Sequence, residues 1–260
     1  MKKILVFISL FNVLQVYANC DKSGLSIIKS QKQKLQVTNE KETQEITLVD
    51  LVSNYKEKRK LVRYVSNKNG IEKSLLNFKE PKEVKGAALL SWDESGSKNQ
   101  WLYLSSLKSL QRIASGSKKK YFMGSDFTFA DLEGENLTDY KYQCLKEIKC
   151  AGKFTCYMVE ATPISRKVSR NYGYKKRMLL IDKTKLLTLM INFYNLKGQK
   201  FKTLKNSKWR KIKNTYRPSL SVMSRKKHKT LIKSLNRDIN SKIKPIIFSK
   251  RFLEKEMHMK

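Results

Sequence analysis

The sequence is poor in the residues and motifs that build catalytic and metal-binding centres. Among 260 residues there are only two histidines and four cysteines. The chain has no phosphate-binding glycine loop, no dinucleotide fingerprint and no Gly-x-Ser-x-Gly nucleophile turn. His228 lies in a basic run and His258 close to the end, and neither has a predicted fixed neighbour. We therefore predict that the protein is not an enzyme and that it uses no cofactor and no metal.

Proline and glycine are also scarce, with four and ten residues respectively. No proline-rich or glycine/serine-rich linker divides the chain, and it has no internal repeat of solenoid or propeller length. The hydrophobic content of 40% is sufficient for a packed core. We predict a single domain over residues 45–260, preceded at 20–44 by a polar segment that forms a tether or a surface helix.

Long apolar runs are confined to the N-terminus. Residues 4–16 follow two lysines and are largely apolar, but they are too few to span a bilayer core of about 30 Å. This pattern is typical of a secretory signal peptide, here residues 1–19. Cleavage after Ala18 fits ordinary signal peptidase, whereas Cys20 stands where a lipoprotein is acylated. The mature protein is predicted to be exported to the periplasm, either soluble or tethered through Cys20.

Acidic residues are few compared with basic ones. The chain has 56 Lys and Arg against 22 Asp and Glu, which gives a formal net charge of +34. Such a surface attracts polyanions. For an exported protein, the expected polyanion is an anionic membrane surface, and we predict no binding to nucleic acid. Because the charge is spread along the chain, we attribute most of it to compositional drift, with membrane contact as a side effect.

Alternation of polar and apolar residues predicts a chain made mostly of strands. Lys58–Ser66 and Ile71–Phe78 flank Asn-Gly at 69–70, which predicts a hairpin, and Pro81 ends the second strand. Short turns between the later strands predict an antiparallel meander. The further predicted strands are Glu45–Ser53, Val84–Trp92, Gln100–Ser105, Ser109–Ser115, Tyr140–Ile148, Phe154–Ala161, Lys175–Asp182, Leu186–Leu196 and Lys200–Leu204. A less regular hairpin is predicted within residues 220–232.

Helical signals are few. Thr128 with Asp131 three residues later predicts a capping box, and Leu25–Leu35 shows a weak helical pattern. So many strands with so few helices predict a mainly β fold. We expect an unclosed antiparallel β-barrel, which is a strongly curved sheet, with a small helical lid on its concave face.

Three of the cysteines, Cys144, Cys150 and Cys156, follow one another at equal spacing. Zinc sites use closer pairs, and an exported location favours disulfides. A turn separates Cys150 from Cys156, so this is the preferred pair, and Cys144 with Cys156 is the competing pair. The remaining cysteine is either buried and reduced or bonded to Cys20, if Cys20 is not acylated.

Several segments resemble those of one known family. The central ones are Trp101–Leu104, Gln111–Ala114 and the block Phe122-Met123-Gly124-Ser125-Asp126-Phe127. Looser matches flank them at Phe78–Leu90, Tyr157–Pro163, Tyr174–Asp182 and Phe248–Glu254. At this spacing the chain resembles the LolA-like family of outer-membrane lipoprotein-sorting proteins, over roughly residues 45–255.

The resemblance implies a fold and a role together. The fold is the unclosed barrel with a helical lid, and the role is to shelter acyl chains of lipoproteins, or of another lipid, during sorting to the outer membrane. The implied partners are lipidated proteins or another acylated ligand and an inner-membrane export complex, besides the anionic membrane surface. The alternative is a basic, membrane-associated scaffold without a ligand cavity.

Two strands supply candidate residues for the wall of a lipid cavity. Alternation places Leu61, Arg63 and Val65 on one face, and this mixed surface would hold an acyl chain without retaining it too tightly. Trp101 and Tyr103 share a face of a later strand. They are candidates for the same wall, with ordinary core packing as the alternative.

The six-residue block Phe122–Phe127 has two interpretations. It is a lid hinge, with Gly124 supplying an unusual φ, or it is a structural plug. In either case we expect Asp126 and Asp131 to act as hydrogen-bond acceptors close to a helix N-terminus.

Overall fold

The protein is described here by a computed structural model that covers residues 20–94, 97–134, 136–150, 152 and 154–259. The predicted signal peptide, residues 1–19, lies outside the described residues. Within them, no helix is both long and apolar enough to span a membrane. The same ranges contain no group of three or more His, Cys, Asp or Glu side chains placed to hold a metal ion.

The described chain forms one antiparallel sheet of thirteen strands. The strands are β1 (Asn39–Asp50), β2 (Lys56–Lys68), β3 (Ile71–Glu80), β4 (Ala88–Glu94), β5 (Ser97–Leu104), β6 (Ser109–Arg112), β7 (Tyr140–Cys150), β8 (Phe154–Pro163), β9 (Lys176–Asp182), β10 (Thr188–Tyr194), β11 (Lys200–Ile212), β12 (Thr215–Arg225) and β13 (His228–Ile239). Three helices accompany them, namely α1 (Gly24–Leu35), α2 (Arg166–Tyr172) and α3 (Lys250–Glu254).

The strand order shows how the sheet is connected. Across the sheet it is β6-β5-β4-β3-β2-β1-β13-β12-β11-β10-β9-β8-β7. Chain neighbours are therefore sheet neighbours, except where the first strand pairs with the last. The two outer strands, β6 and β7, follow each other in the chain, and no ladder joins them among the described residues. The predicted mainly β, unclosed antiparallel fold is confirmed.

Residues 113–139, which join β6 to β7, cross one face of the sheet, and we call them the lid segment. They contain three short 3-10 turns and pack into two hydrophobic clusters. Helices α1 and α2 join one of these clusters through Ile27, Ile28 and Tyr172. We call the face that carries the lid segment, α1 and α2 the inner face.

The opposite, outer face has its own hydrophobic cluster, built by the end of the chain. Phe248 and Leu253 are buried there against Leu75 and Leu90. Their sequence neighbours Leu76 and Leu89 point the other way, into an inner cluster. Strands β3 and β4 are thus covered on both sides, which explains why residues 87–90 are uniformly apolar.

The predicted strands recur with shifted ends. Strand β1 begins at Asn39, so the predicted domain boundary at residue 45 falls inside it. The first half of β1 was not predicted, because Glu40 and Glu42 occupy inward-facing positions where alternating strands usually carry apolar side chains. They are buried all the same, because arginines from other strands pair with them.

Helix α2 was not predicted from the sequence. It has seven residues, with Ser165 as N-cap and Gly173 in the left-handed region after its end. Only Tyr172 is buried, so the helix carries almost no periodic apolar signal.

Candidate functional site

An apolar cavity lies between the inner face and the lid segment. Its volume is about 220 Å³. Alternation directs every second side chain of β1, β2 and β3 towards it. The apolar wall residues are Ile46, Leu48, Leu61, Leu76, Phe78, Phe122, Met123, Phe127, Leu132 and Ile232. The lid segment thus covers this part of the sheet without filling the space beneath it.

The block Phe122–Phe127 forms the tip of the lid segment over this cavity. Met123 and Gly124 have φ values of 47° and 74°, so a tight turn occurs where a left-handed backbone at Gly124 was predicted. The turn is closed by the Phe122 N–H, which donates to the Phe127 carbonyl over 2.8 Å. Phe122 and Phe127 are both buried, and each packs into a different inner cluster.

Three strands hold this tip in place. The Arg59 guanidinium on β2 donates to the Met123 carbonyl over 2.5 Å. The Thr230 hydroxyl on β13 donates to the Asp126 carboxylate over 2.7 Å and accepts from the Asp126 N–H over 2.8 Å. Arg225 on β12 forms an ion pair with the same carboxylate. The tip is therefore attached to strands on both sides of the β1–β13 junction.

A second attachment centres on Asp131. Its carboxylate accepts from the Thr128 N–H over 2.7 Å, and its own N–H donates to the Thr128 hydroxyl over 3.2 Å. This is the predicted capping box, which starts the 3-10 turn Ala130–Leu132. The same carboxylate also pairs with Lys202 on β11 and accepts from the Tyr174 hydroxyl over 2.6 Å.

Lys202 is a fully buried cation. Its side chain has no exposed area, and its Nζ lies 4.7 Å and 4.9 Å from the ring centroids of Phe193 and Tyr174. Burial lowers the pKa of Lys202, and the Asp131 carboxylate acts against this. Burial and Asp131 also raise the pKa of Tyr174 well above its ordinary value. Ion pairing and ring contacts together offset part of the cost of burying the charge.

A larger cavity of about 500 Å³ adjoins the first one. The two share Gln44, Arg63 and Glu72 as wall residues. Helix α1 supplies one side of the larger cavity, with Ile28, Gln31, Lys32 and Leu35. The Gln31 side-chain amide donates to the Leu186 carbonyl over 2.5 Å, which fixes the helix to the loop before β10.

A cluster of charges lines the larger cavity. Arg217 Nε donates to Glu40 Oε2 over 2.9 Å. Arg237 Nε lies 3.1 Å from Glu40 Oε1, and its Nη2 donates to Glu42. Burial by itself raises the pKa of Glu40, but Arg63, Arg217 and Arg237 outweigh it and hold the pKa below its ordinary value.

The structure distributes the predicted wall residues over both faces. Leu61 lines the apolar cavity, Val65 the larger one, and Arg63 both. Arg63 therefore points to the inner face and not to the outer face. We call the two adjoining cavities together the hollow. Trp101 and Tyr103 require a correction, because they belong to the outer cluster under the end of the chain.

Tyr103 helps to attach the C-terminal segment to the outer face. Its hydroxyl donates to Glu256 over 2.7 Å, and its ring packs edge-on against His258. Burial and the Glu256 hydrogen bond raise the pKa of Tyr103 to about 12. His258 is buried too, with Nε2 at 2.8 Å from the Gly86 carbonyl oxygen. These contacts anchor the C-terminal segment, and alternation alone did not reveal which face that segment covers.

The cysteines form two disulfides, Cys20–Cys144 and Cys150–Cys156. The second bridges the β7–β8 hairpin, and the first attaches the residues before α1 to the middle of β7. Cys144 is not bonded to Cys156, the competing pair. In this structure the Cys20 sulfur is committed to Cys144, so it is not free for a lipid thioether.

Sequence reasoning missed most of the charged residues of the hollow. Glu40, Glu42, Arg217 and Arg237, which line the larger cavity, come from β1, β12 and β13 and meet only in the folded sheet. Lys202 of β11, which pairs with Asp131 of the lid segment, was missed as well. The single local signal is that Glu40 and Glu42 are in phase with Ile46 further along β1. That phase places two carboxylates on the cavity side.

A curved antiparallel sheet with a lid over a hollow inner face defines the LolA-like class of fold. A family model described as that of an uncharacterized protein matches residues 70–255, which is more than half of the chain. A domain from Vibrio parahaemolyticus, provisionally assigned to outer membrane lipoprotein sorting, is 26% identical with a TM-score of 0.83, covering 89% of this chain and 98% of that one. The chain therefore belongs to the family that this model describes, and the resemblance to the LolA-like family found in the sequence is confirmed.

Two further structures share the fold. A DUF1329 family protein from Desulfovibrio piger is 23% identical with a TM-score of 0.82, covering 88% of this chain and 97% of that chain. A LolA superfamily protein from Nitrosomonas europaea is 18% identical with a TM-score of 0.69, covering 89% and 99%. A search of curated proteins found no match. Family membership and the two disulfides indicate an exported protein.

Proposed function

We propose that the protein is a non-enzymatic carrier that shelters acyl chains, of lipoproteins or of another lipid, in the periplasm during sorting to the outer membrane. The observation that supports this most directly is the apolar cavity of about 220 Å³ beneath the lid segment. A second space of about 500 Å³ adjoins it and shares three of its wall residues. Ligand pockets usually measure about 300–1,000 Å³, so the two spaces together suit a lipid chain.

The mixed character of the wall favours reversible binding. Each buried CH2 group stabilises a complex by ~0.8 kcal/mol, so a long chain in a wholly apolar cavity would leave very slowly. Here Arg59, Arg63 and Asp131 interrupt the apolar surface. A carrier has to deliver its ligand, and these polar groups reduce the apolar area that the chain covers.

The proposal includes partners. Lipidated proteins or other acylated molecules are the cargo, an inner-membrane export complex supplies it, and the basic surface contacts anionic membranes during loading and delivery. It includes no catalytic step. Tethering through Cys20 remains an alternative state, which requires that the Cys20–Cys144 bond is not formed.

A cavity-filling variant tests the carrier function. Ser74 lies on β3 in the wall of the apolar cavity, and Ser74→Phe places a ring in that space. The control is Ser207→Phe, an exposed position on β11 outside both cavity walls. We expect the wild type and S207F to bind a fluorescent lipopeptide saturably at about one per protein, and S74F to bind at least about tenfold more weakly.

Two outcomes would contradict the proposal. The first is the absence of saturable binding by the wild type, and the second is unchanged affinity in S74F. If the wild type instead adsorbs to anionic vesicles in a salt-sensitive way without taking up acyl chains, the protein is a membrane-associated scaffold.

A further inference from the structure

The charged cluster of the larger cavity consists of Glu40, Glu42, Arg63, Arg217 and Arg237. Arg217 and Arg237 form close ion pairs with the two carboxylates, whereas Arg63 lies at least 3.5 Å from both. We propose that Arg63 binds the anionic headgroup of a single-chain amphiphile whose acyl chain lies in the apolar cavity. The preferred ligand is then an acyl chain that ends in a carboxylate or a phosphate. This inference rests on the proposed carrier function, because it assigns the ligand class of the same hollow.

Arg217 and Arg237 are satisfied by protein groups. Besides its bond to Glu40, Arg217 donates to the Thr215 hydroxyl over 2.9 Å and to the Tyr216 carbonyl over 3.1 Å. Arg237 donates to Glu42 and to the Pro218 carbonyl. The side chains of these two arginines are only 16% and 9% exposed. Each of them thus has short protein partners on at least two of its three guanidinium nitrogens.

Arg63 is different in geometry and in exposure. Its Nη1 lies 3.5 Å from Glu40 and 3.8 Å from Glu42, which is longer than the usual N–H···O distance of about 2.7–3.2 Å. Its side chain is 34% exposed. A guanidinium carries five N–H donors in a planar fork that fits carboxylate and phosphate oxygens. Among the described residues, no carboxylate lies closer than 3.5 Å to this guanidinium, which lines both cavities.

The carboxylates of the cluster do not compete for this role. Glu40 is occupied by Arg217 and Arg237, and Glu42 by Arg237 and by the Gln44 amide, which donates over 2.8 Å. A ligand anion at Arg63 would therefore not displace a short ion pair. It would replace two long contacts by short, charge-assisted ones.

The position of Arg63 gives the ligand its orientation. It is the only arginine of the cluster that also lines the apolar cavity. Its neighbour Leu61 points into that cavity, and Val65 points into the larger one. A headgroup at Arg63 thus places the adjoining chain against Leu61, while the head remains on the polar side.

The other charged wall residues leave a small positive excess. Glu72 lines both spaces, and Lys32 of α1 lines the larger one. Arg63, Arg217, Arg237 and Lys32 give four positive charges against three from Glu40, Glu42 and Glu72. The larger cavity therefore has a formal charge of 4 − 3 = +1 before a ligand enters. The charged residues that line only the apolar cavity, Arg59 against Asp131 and Glu133, sum to 1 − 2 = −1, so an anionic head is favoured on the side of the larger cavity.

Three ligands of equal chain length test the inference. Dodecanoate, dodecyl phosphate and dodecanol are compared by displacement of the neutral fluorophore N-phenyl-1-naphthylamine, in about 0.3 M salt to screen surface charge. We expect the wild type to bind both anions about tenfold or more tightly than the alcohol. Arg63→Gln should lose this preference and keep its affinity for dodecanol. The control Arg210→Gln removes one exposed charge from β11 and should keep the preference.

The possible results distinguish a failure of the Arg63 inference from a failure of the carrier function. Equal wild-type affinity for the alcohol and the anions overturns the inference and leaves the carrier function standing. An anion preference retained in R63Q, or lost in R210Q, also overturns it. If R63Q loses dodecanol as well, Arg63 has a structural role and the inference fails. If none of the three ligands displaces the fluorophore from the wild type, the carrier function itself fails.

Discussion

At the scale of single residues, buried charge fixes the lid segment. Asp131 joins Lys202 of β11 to the capping box of the lid, and Asp126 joins Arg225 and Thr230 to the lid tip. Such pairs add little stability compared with apolar packing, but removing one partner leaves a charge buried and unpaired. They therefore fix where the lid segment lies on the sheet.

Lys202→Met tests this role. The substitution leaves the Asp131 carboxylate buried without its cation, so we expect the free energy of unfolding in urea to fall by about 3–5 kcal/mol. The double variant with Asp131→Asn should recover most of the loss, because it removes the remaining charge and keeps the side-chain oxygen that caps the 3-10 turn. Equal stability of the single and double variants would contradict the pairing.

Glu40 predicts a specific dependence of stability on pH. Its pKa is below the ordinary value of 4.5 in the folded protein, so the folded state binds fewer protons there than the unfolded state. This contribution is present above pH 4.5 and is lost as the pH falls through the lowered folded-state pKa. Glu40→Gln should therefore be less stable than the wild type near neutral pH.

The two proteins should converge on acidification, because a protonated Glu40 resembles glutamine. Urea unfolding at a series of acidic pH values measures the difference. Glu83→Gln, at an exposed position, is the control and should follow the wild type throughout. A constant difference between E40Q and the wild type at all pH values would show that the lowered pKa is not the cause.

At the scale of secondary structure elements, α1 depends on a close approach to β7. A Cβ at Gly24 would lie 2.7 Å from the Gln143 nitrogen and 2.8 Å from the Cys144 nitrogen. These are backbone atoms of a strand and cannot move aside cheaply. Gly24→Ala should therefore push the start of α1 away and lower the free energy of unfolding by about 1–3 kcal/mol.

Gly116→Ala is the matched control for this prediction. A Cβ at Gly116 meets nothing within 4 Å, and this glycine is not among those with positive φ. The variant should be neutral or slightly more stable, by up to about 1 kcal/mol, because it restricts the unfolded chain. Similar thermal or urea unfolding of G24A and G116A would mean that α1 does not pack against β7 as described.

The two disulfides should differ in their effect on stability. Cys20 and Cys144 are 124 positions apart, and Cys150 and Cys156 only six. In the chain-entropy model, loops of these sizes correspond to about 5 and 2 kcal/mol respectively. The double variant Cys20→Ser with Cys144→Ser should therefore be more strongly destabilised than Cys150→Ser with Cys156→Ser. The reverse order in urea unfolding would indicate that strain or residual structure outweighs loop entropy.

The elements also show what the sequence could and could not predict. Alternation located strands such as Lys56–Lys68 and Ile71–Glu80 because their faces differ in polarity. It also predicted correctly that Trp101 and Tyr103 share a face. It did not predict that this face is the outer one, because that depends on where Phe248 and Leu253 dock from the far end of the chain.

The candidate site could be predicted only in part for the same reason. Leu61, Arg63 and Val65 were found because they alternate within one strand. Arg217 and Arg237 were missed because they enter the hollow only through the β1–β13 and β12–β13 pairings. No local pattern encodes a contact between residues some 177 positions apart, as in the Arg217–Glu40 pair.

At the scale of the whole molecule, the lid segment occupies a particular place in the topology. It joins the only two consecutive strands that the described sheet does not pair, β6 and β7. The gap in the barrel and its cover are therefore one piece of chain. Opening of the hollow requires movement of the lid segment against contacts to β2, β11, β12 and β13. The lid segment also packs into two hydrophobic clusters, but none of its described residues belongs to a strand of the sheet, so its movement need not disturb the ladder.

The net charge of +34 is also a property of the whole molecule. Its two explanations, compositional drift and membrane contact, make different predictions. Drift spreads charge without regard to position, whereas membrane contact requires a local cluster. The end of the β11–β12 hairpin offers such a cluster of exposed basic residues, namely Lys208, Arg210, Lys211 and Lys213. Each basic residue near an anionic leaflet contributes about 1 kcal/mol to binding.

We expect the wild type to bind anionic vesicles, and the bound fraction in cosedimentation to fall as salt shortens the Debye length below about 10 Å. Replacing the four hairpin residues by glutamine should weaken binding far more than replacing four exposed lysines elsewhere. A suitable dispersed set is Lys56, Lys82, Lys85 and Lys255. Both variants lose the same net charge, so a purely global attraction would weaken equally in each. Equal loss would therefore support drift, and selective loss in the hairpin variant would identify the end of the hairpin as the surface that meets the membrane.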